Sequence, residues 1–126
     1  MKVKTDTKEK FHVINVETLF LTANMAADLY QQIVPILQSN IVNVVLNLKN
    51  VEKIDEGAAD VLVKMQQRFY EENASFVICE LTPEVEDFLE QTERLEMMNI
   101  TPTESEAMDI VQMEEIERDL FDEEEA

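Results

Sequence analysis

The stretch "IVNVVLNL", residues 41–48, limits the possible folds of this chain more than any other segment. It is mostly apolar, rich in β-branched residues, and free of glycine and proline. A strand of this kind has to be covered on both faces, as central strands of mostly parallel sheets are. A second run, "ASFVICEL" (74–81), reads the same way. Its lone cysteine, Cys79, has no partner for an internal disulfide and reads as a small core residue.

Helical spacing separates these runs. Apolar residues at 26, 29, 30, 33, 36 and 37 predict a helix over 22–37, capped by Thr22 or Asn24. Pro35 lies inside that span, so the helix must kink or tighten there. Apolar residues at 58, 61, 62, 65 and 69 predict a second helix from Glu56 to Glu72. "TPEVEDFLEQT" (82–92) starts a third, with Thr82 as cap, Pro83 at the first position and acids in the first turn. "MMNIT" (97–101) is a short strand, and Thr103 with Glu106 forms a capping box for a last helix. At the other end "KFHVINV" (10–16) alternates as a strand, and "MKVKT" pairs with it as a lysine-protected edge.

The resulting order is β-β-α-β-α-β-α-β-α. It predicts an α/β domain with a mostly parallel sheet of four to five strands and about four helices. At 126 residues one domain is expected, over 1–118, with 119–126 as a frayed acidic tail. No segment resembles a membrane span or a signal peptide, so a soluble cytoplasmic protein is expected.

Charge is distributed unevenly. Residues 1–79 carry 10 acids and 8 bases, whereas residues 80–126 carry 18 acids and 2 arginines. This field repels nucleic-acid phosphates and anionic headgroups, which argues against nucleic-acid binding and membrane insertion. It favours a basic protein surface, although an acidic surface also serves solubility. The third and last helices are expected to sit together and form one negative face.

Catalytic constellations are missing from the sequence. The single histidine, His12, has no second His or Cys ligand near it, so no His/Cys metal site is expected. One glycine cannot build a phosphate loop. With 28 carboxylates in the chain, a pair of acids carries no signal. No enzyme activity and no cofactor are expected.

The one glycine is Gly57, in "KIDEGAADVL" (53–62), where a strand passes into the second helix. Asp55 is a good N-cap for that helix, and Glu56 suits the positive end of its dipole. Gly57 allows a close backbone approach or a tight strand-to-helix turn. On these grounds alone the segment is a well-capped connection.

A resemblance adds a second meaning. "VVLNL", "KIDEGAADVL", "SFVICEL" and "TPEVEDFLEQT", in this order, resemble a STAS domain, the domain of bacterial anti-sigma-factor antagonists and of sulfate-transporter tails. The likeness covers about residues 10–115 and is stronger in pattern than in signature residues. It implies the STAS fold and a partner-docking loop at the start of the second helix, formed by Asp55, Glu56, Gly57, Ala58 and Asp60, with Lys64 on the exposed helix face. In switchable members a kinase phosphorylates a hydroxyl two residues after the aspartate. Here that position is Gly57, which has no acceptor, and the family's next glycine is Ala58. Thr22 and Asn47 replace family acids. Glu56 carries a charge one position early and is a poor phosphate mimic.

The resemblance therefore implies a regulatory protein-binding module that is not switched at the usual site. Its expected partner is an anti-sigma factor of the histidine-kinase-like ATPase kind. A homodimer stays open. The alternative is an accessory subunit of a membrane transport complex; a nucleotide-hydrolysing domain is the third and least supported reading.

Overall fold

The structure, a computed structural model, describes residues 2–125, with side-chain surroundings through residue 120. The main sheet contains β1 (Val3–Thr7), β2 (Phe11–Val16), β4 (Asn43–Asn47), β6 (Phe76–Cys79) and β7 (Ile100–Thr101), in the order β1-β2-β4-β6-β7. β1 is antiparallel to β2, and the other pairings are parallel. Two strands too short to read from periodicity, β3 (Phe20–Leu21) and β5 (Lys53–Ile54), form a separate parallel pair.

The helices are α1 (Ala23–Ile33), α2 (Glu56–Glu71), α3 (Pro83–Gln91) and α4 (Glu104–Glu125). α1, α2 and α3 cover one face of the sheet. Leu29, Leu62, Met65, Phe69, Val85 and Leu89 pack there on Ile14, Val44, Leu46, Phe76 and Ile78. α4 alone covers the other face, with Ala107 and Val111 against Phe11, Val13, Val45, Val77 and Cys79. Successive residues of β4 and β6 thus enter opposite cores, which is why both sequences lack a polar face. Burial pushes the Cys79 thiol up to about 12, with Glu104 and Glu80 adding to the effect, so it stays protonated at neutral pH.

Two expectations change. α3 and α4 lie on opposite faces of the sheet, so they do not form one negative face. α4 continues to Glu125, into the segment expected to fray, and Ala126 lies outside the described residues. As expected from Pro35, α1 ends at Ile33 and the chain tightens into a 3-10 turn over Val34–Gln38, with the proline in its first positions. That turn needs no amide hydrogen where proline has none. Among the described residues no helix is long and apolar enough to cross a membrane.

With a single glycine, the chain makes its left-handed turns from other residues. Asn73, Glu80 and Glu93 take φ values of 57°, 59° and 61°. Asn73 and Glu93 close α2 and α3: Ala74 N–H donates to Phe69 O, and Arg94 N–H to Leu89 O. Glu80 leaves β6, and its carboxylate accepts the Glu104 amide at the start of α4 at 2.8 Å.

A buried polar network fixes α4 to the opposite end of the sheet. Asn43 and Ser75 are 1% and 2% exposed. Arg118 Nη2 donates to Asn43 Oδ1, Ser75 Oγ and Glu115 Oε2 at 3.1, 3.1 and 3.0 Å. Asn43 Nδ2 donates to the same Glu115 oxygen at 2.8 Å. The Asn43 bond, then Arg118, holds the Glu115 carboxyl below its ordinary value of 4.5. A lowered folded-state pKa contributes stability that is complete above the unfolded value and is lost as pH falls through the folded one. Glu115→Gln should therefore lower stability at neutral pH and flatten its fall below about pH 4.5. Urea unfolding across that range checks this, and parallel acid limbs for the two proteins would contradict it.

Candidate functional site

The site is built at the start of α2. β4 leads through Leu48 and Val51, both fully buried, into β5, and Asp55 ends that strand. Its carboxylate serves two helices. Oδ1 accepts the Ala58 amide of α2 at 2.8 Å, and Oδ2 accepts the Ala23 amide of α1 at 3.1 Å. Thr22 adds a bond from Met25 N–H at 3.4 Å. Two positive helix ends thus converge on one negative side chain.

That convergence explains Gly57. Its backbone is ordinary helix, with no positive φ. A Cβ at this position would lie 2.6 Å from the Cβ of Ala23. Ala23's methyl group is attached directly to the backbone and cannot rotate away. The glycine is there because α1 and α2 begin side by side.

The acids of the loop are less free than the sequence implies. Arg94 Nε donates to Asp60 Oδ1 at 2.7 Å, and its Nη2 donates to Glu56 Oε1 at 3.2 Å. The left-handed turn at Glu93 sends Arg94 back across the first turn of α2. Lys64 is exposed but places its Nζ 4.8 Å over the Tyr30 ring of α1. Ala58 is completely buried in the core, so it presents no surface to a partner. Glu56 and Asp60 remain exposed, and Gly57 is partly covered.

The structure brings up residues that the sequence reading missed. Leu19, Phe20 and Met25 are 64%, 43% and 36% exposed. The Leu19 carbonyl accepts from the Glu52 and Lys53 amides at 2.8 and 3.0 Å, which lays this apolar rim along the loop. Lys53 Nζ stands 5.6 Å over the Phe20 ring. "TLFLT" has neither clear helical nor clear strand spacing, so only the β3–β5 pairing shows that Leu21 goes inward while its neighbours stay out. Arg94 left a faint signal, as one of 2 arginines among 18 acids in residues 80–126.

Thr22 and Asn47, which stand where the resemblance expects acids, both have local partners. Thr22 caps α1, and Asn47 bonds Glu104 at 3.0 Å and the Lys49 amide at 2.9 Å.

The molecule is an α/β sandwich domain whose exposed apolar side chains beside Asp55 gather at a pair of helix starts. It belongs to the STAS domain family, whose sequence model matches residues 2–107. No curated protein sequence matches the chain. Among solved structures it is similar to the anti-sigma-factor antagonist (STAS) domain protein from Planctomyces limnophilus. That likeness has 18% identity and a TM-score of 0.75, over 87% of this chain and 97% of the other. It is also similar to the anti-sigma factor antagonist SpoIIAA of Bacillus in its unphosphorylated form, at 14% identity and a TM-score of 0.71, covering 88% and 96%. The murine anion transporter Solute Carrier 26 family member A9 aligns at 11% identity and a TM-score of 0.65, covering 82% of this chain and 18% of the transporter. The mostly parallel five-stranded sheet and the four helices agree with the STAS-like fold expected from the sequence.

Two stability outcomes follow from the helix junction. Gly57→Ala gains up to about 1 kcal/mol of helix propensity. The added methyl costs about 1–3 kcal/mol of overpacking, so the variant should be less stable. Ala23→Gly should cost little in Gly57→Ala and more in the parent chain. Urea midpoints of the four proteins test this, and strictly additive effects would contradict the contact. Asp55→Ala should cost about 1–3 kcal/mol by uncapping α2 and leaving the Ala23 amide of α1 without its acceptor, while Thr22 still caps α1. Asp55→Asn should recover one cap only, because its amide has a single acceptor oxygen.

Proposed function

We propose that this chain is a protein-binding regulatory module of the antagonist branch. Its docking face combines Leu19, Phe20 and Met25 with the loop and first turn at Asp55, Glu56, Gly57 and Asp60. The observation that carries this reading is the apolar rim beside the shared helix start. Exposed Leu, Phe and Met side chains next to a rigid, capped loop are what a partner's hot spot packs against. Arg94 already balances Glu56 and Asp60, so the partner does not have to supply a matching cation.

The proposed partner is an anti-sigma factor of the histidine-kinase-like ATPase kind. Binding it would release a sigma factor and act on transcription without DNA contact. Position 57 is proposed not to act as a phosphorylation switch. Glycine has no acceptor, and Ala23 fills the space that a serine side chain needs. A hydroxyl introduced by Gly57→Ser would have to separate the starts of α1 and α2, so that single change is not expected to create a switch. An accessory role in a transport complex is the second reading, supported by the fold likeness to the anion transporter.

Affinity purification of the full chain from its own cells, with mass spectrometry of co-purifying proteins, separates the two readings. A kinase-like ATPase supports the first, and a transporter subunit the second. Leu19→Ser combined with Phe20→Ser should weaken capture of the partner more than about tenfold while changing the unfolding midpoint little. Unchanged capture by that variant would remove the docking face from the proposal.

A further inference from the structure

A second surface lies at the opposite end of the sheet. β4 and β6 run parallel, with Asn43 and Ser75 at their starting end and the loop of Asp55 beyond the finishing end of β4. At the starting end, the last turns of α2, the 3-10 turn Leu95–Met97 and the far half of α4 enclose an open groove of about 1090 Å³. It is open to solvent and lined by residues from several elements, which suits a peptide segment better than an enclosed small-molecule ligand.

The groove is lined by acids and polar side chains, with two exposed apolar side chains on its rim. Tyr70 and Met97 line it at 79% and 58% exposure. Glu96, Glu114, Glu117 and Asp119 line it as well. The cation within reach, Arg118, is committed to Asn43, Ser75 and Glu115. Among the described residues, Glu96, Glu117 and Asp119 have no ion-pair partner. The buried Asn43–Ser75–Arg118 network holds this part of α4 in place, so the groove is preformed. α4 beyond residue 107 also lies outside the span matched by the STAS family.

We infer that this groove binds a basic amphipathic segment of a partner protein, its cations meeting the carboxylates and an apolar or cationic side chain packing on Tyr70 and Met97. Charge complementarity selects that occupant. Anionic lipid and nucleic acid are repelled by the same carboxylates. A second copy of this chain carries a net charge of −18 and is repelled too. In its lysine-rich start, Lys2 and Lys8 already pair with Glu17 and Asp6, and Lys4 lies in β1 rather than on an amphipathic helix. The groove lies apart from the docking face, so the two surfaces can be occupied together.

The test uses the full chain, isotopically labelled, and a synthetic helical peptide of about four turns with lysines on one face and leucines on the other. Backbone amide shifts should move at residues 70–76, 96–99 and 114–119. Tyr70→Ala with Met97→Ala should weaken binding about tenfold or more. Glu117→Lys with Asp119→Lys should weaken it far more than Asp87→Lys with Glu90→Lys, which makes the same charge change on exposed α3 positions. A peptide with glutamates in place of the lysines should not bind. The inference is overturned if the lysine peptide does not bind, or if the shifts map to residues 19–25 and 53–57. Equal effects of the two charge swaps, or self-association of the free chain through the groove, would overturn it as well.

Discussion

The pairing of α1 and α2 at their starts is the constraint on which the functional end of the molecule depends. One carboxylate, Asp55, accepts an amide from each helix, and the missing side chain of Gly57 lets Ala23 sit against it. Neither feature works without the other. A larger residue at 57 would force the helices apart and stretch at least one of the two capping bonds. The shared cap also fixes Thr22 and Leu21, and through β3 it fixes the neighbouring Leu19 and Phe20 at the surface. A glycine that a family comparison reads as a lost acceptor is, in this chain, a packing requirement.

Electrostatics is organised by very few cations. The acidic third of the chain contains only Arg94 and Arg118, and each closes a tertiary junction. Arg94 ties the turn after α3 to the first turn of α2. Arg118 ties α4 to the starts of β4 and β6. Glu96, Glu117 and Asp119 line the groove with no ion-pair partner among the described residues, and their like charges raise the local negative potential. Both arginines are long side chains with forked donors, suited to holding several oxygens at once.

Much of the fold was legible in the sequence because its signals are local. Strand runs without a polar face, such as "NVVLN", require two covered sides whatever their neighbours are. Thr22, Asp55 and Thr82 were readable as caps because a cap acts over three residues. The placement of α3 and α4 was not legible. Both are amphipathic and acidic, and their sequences do not say which face of the sheet each one covers. The extension of α4 to Glu125 was missed for a related reason: its exposed Met113, Ile116 and Leu120 do not continue the face that packs on the sheet.

The sequence by itself determined the order of the four helices and the five strands of the main sheet, the mostly parallel pairing, the helix start at Asp55 and the absence of an acceptor hydroxyl at position 57. These follow from short-range periodicity, capping and residue chemistry. Tertiary structure decided that Asp55 caps a second helix, that Gly57 meets Ala23, and that Ala58 is buried. It also decided that Arg94 covers Glu56 and Asp60 while Leu19 and Phe20 are left outside. Each of these is a meeting of residues about 30 or more positions apart, or the outcome of one. Such contacts arise only after the sheet has set the distances between the elements that it carries.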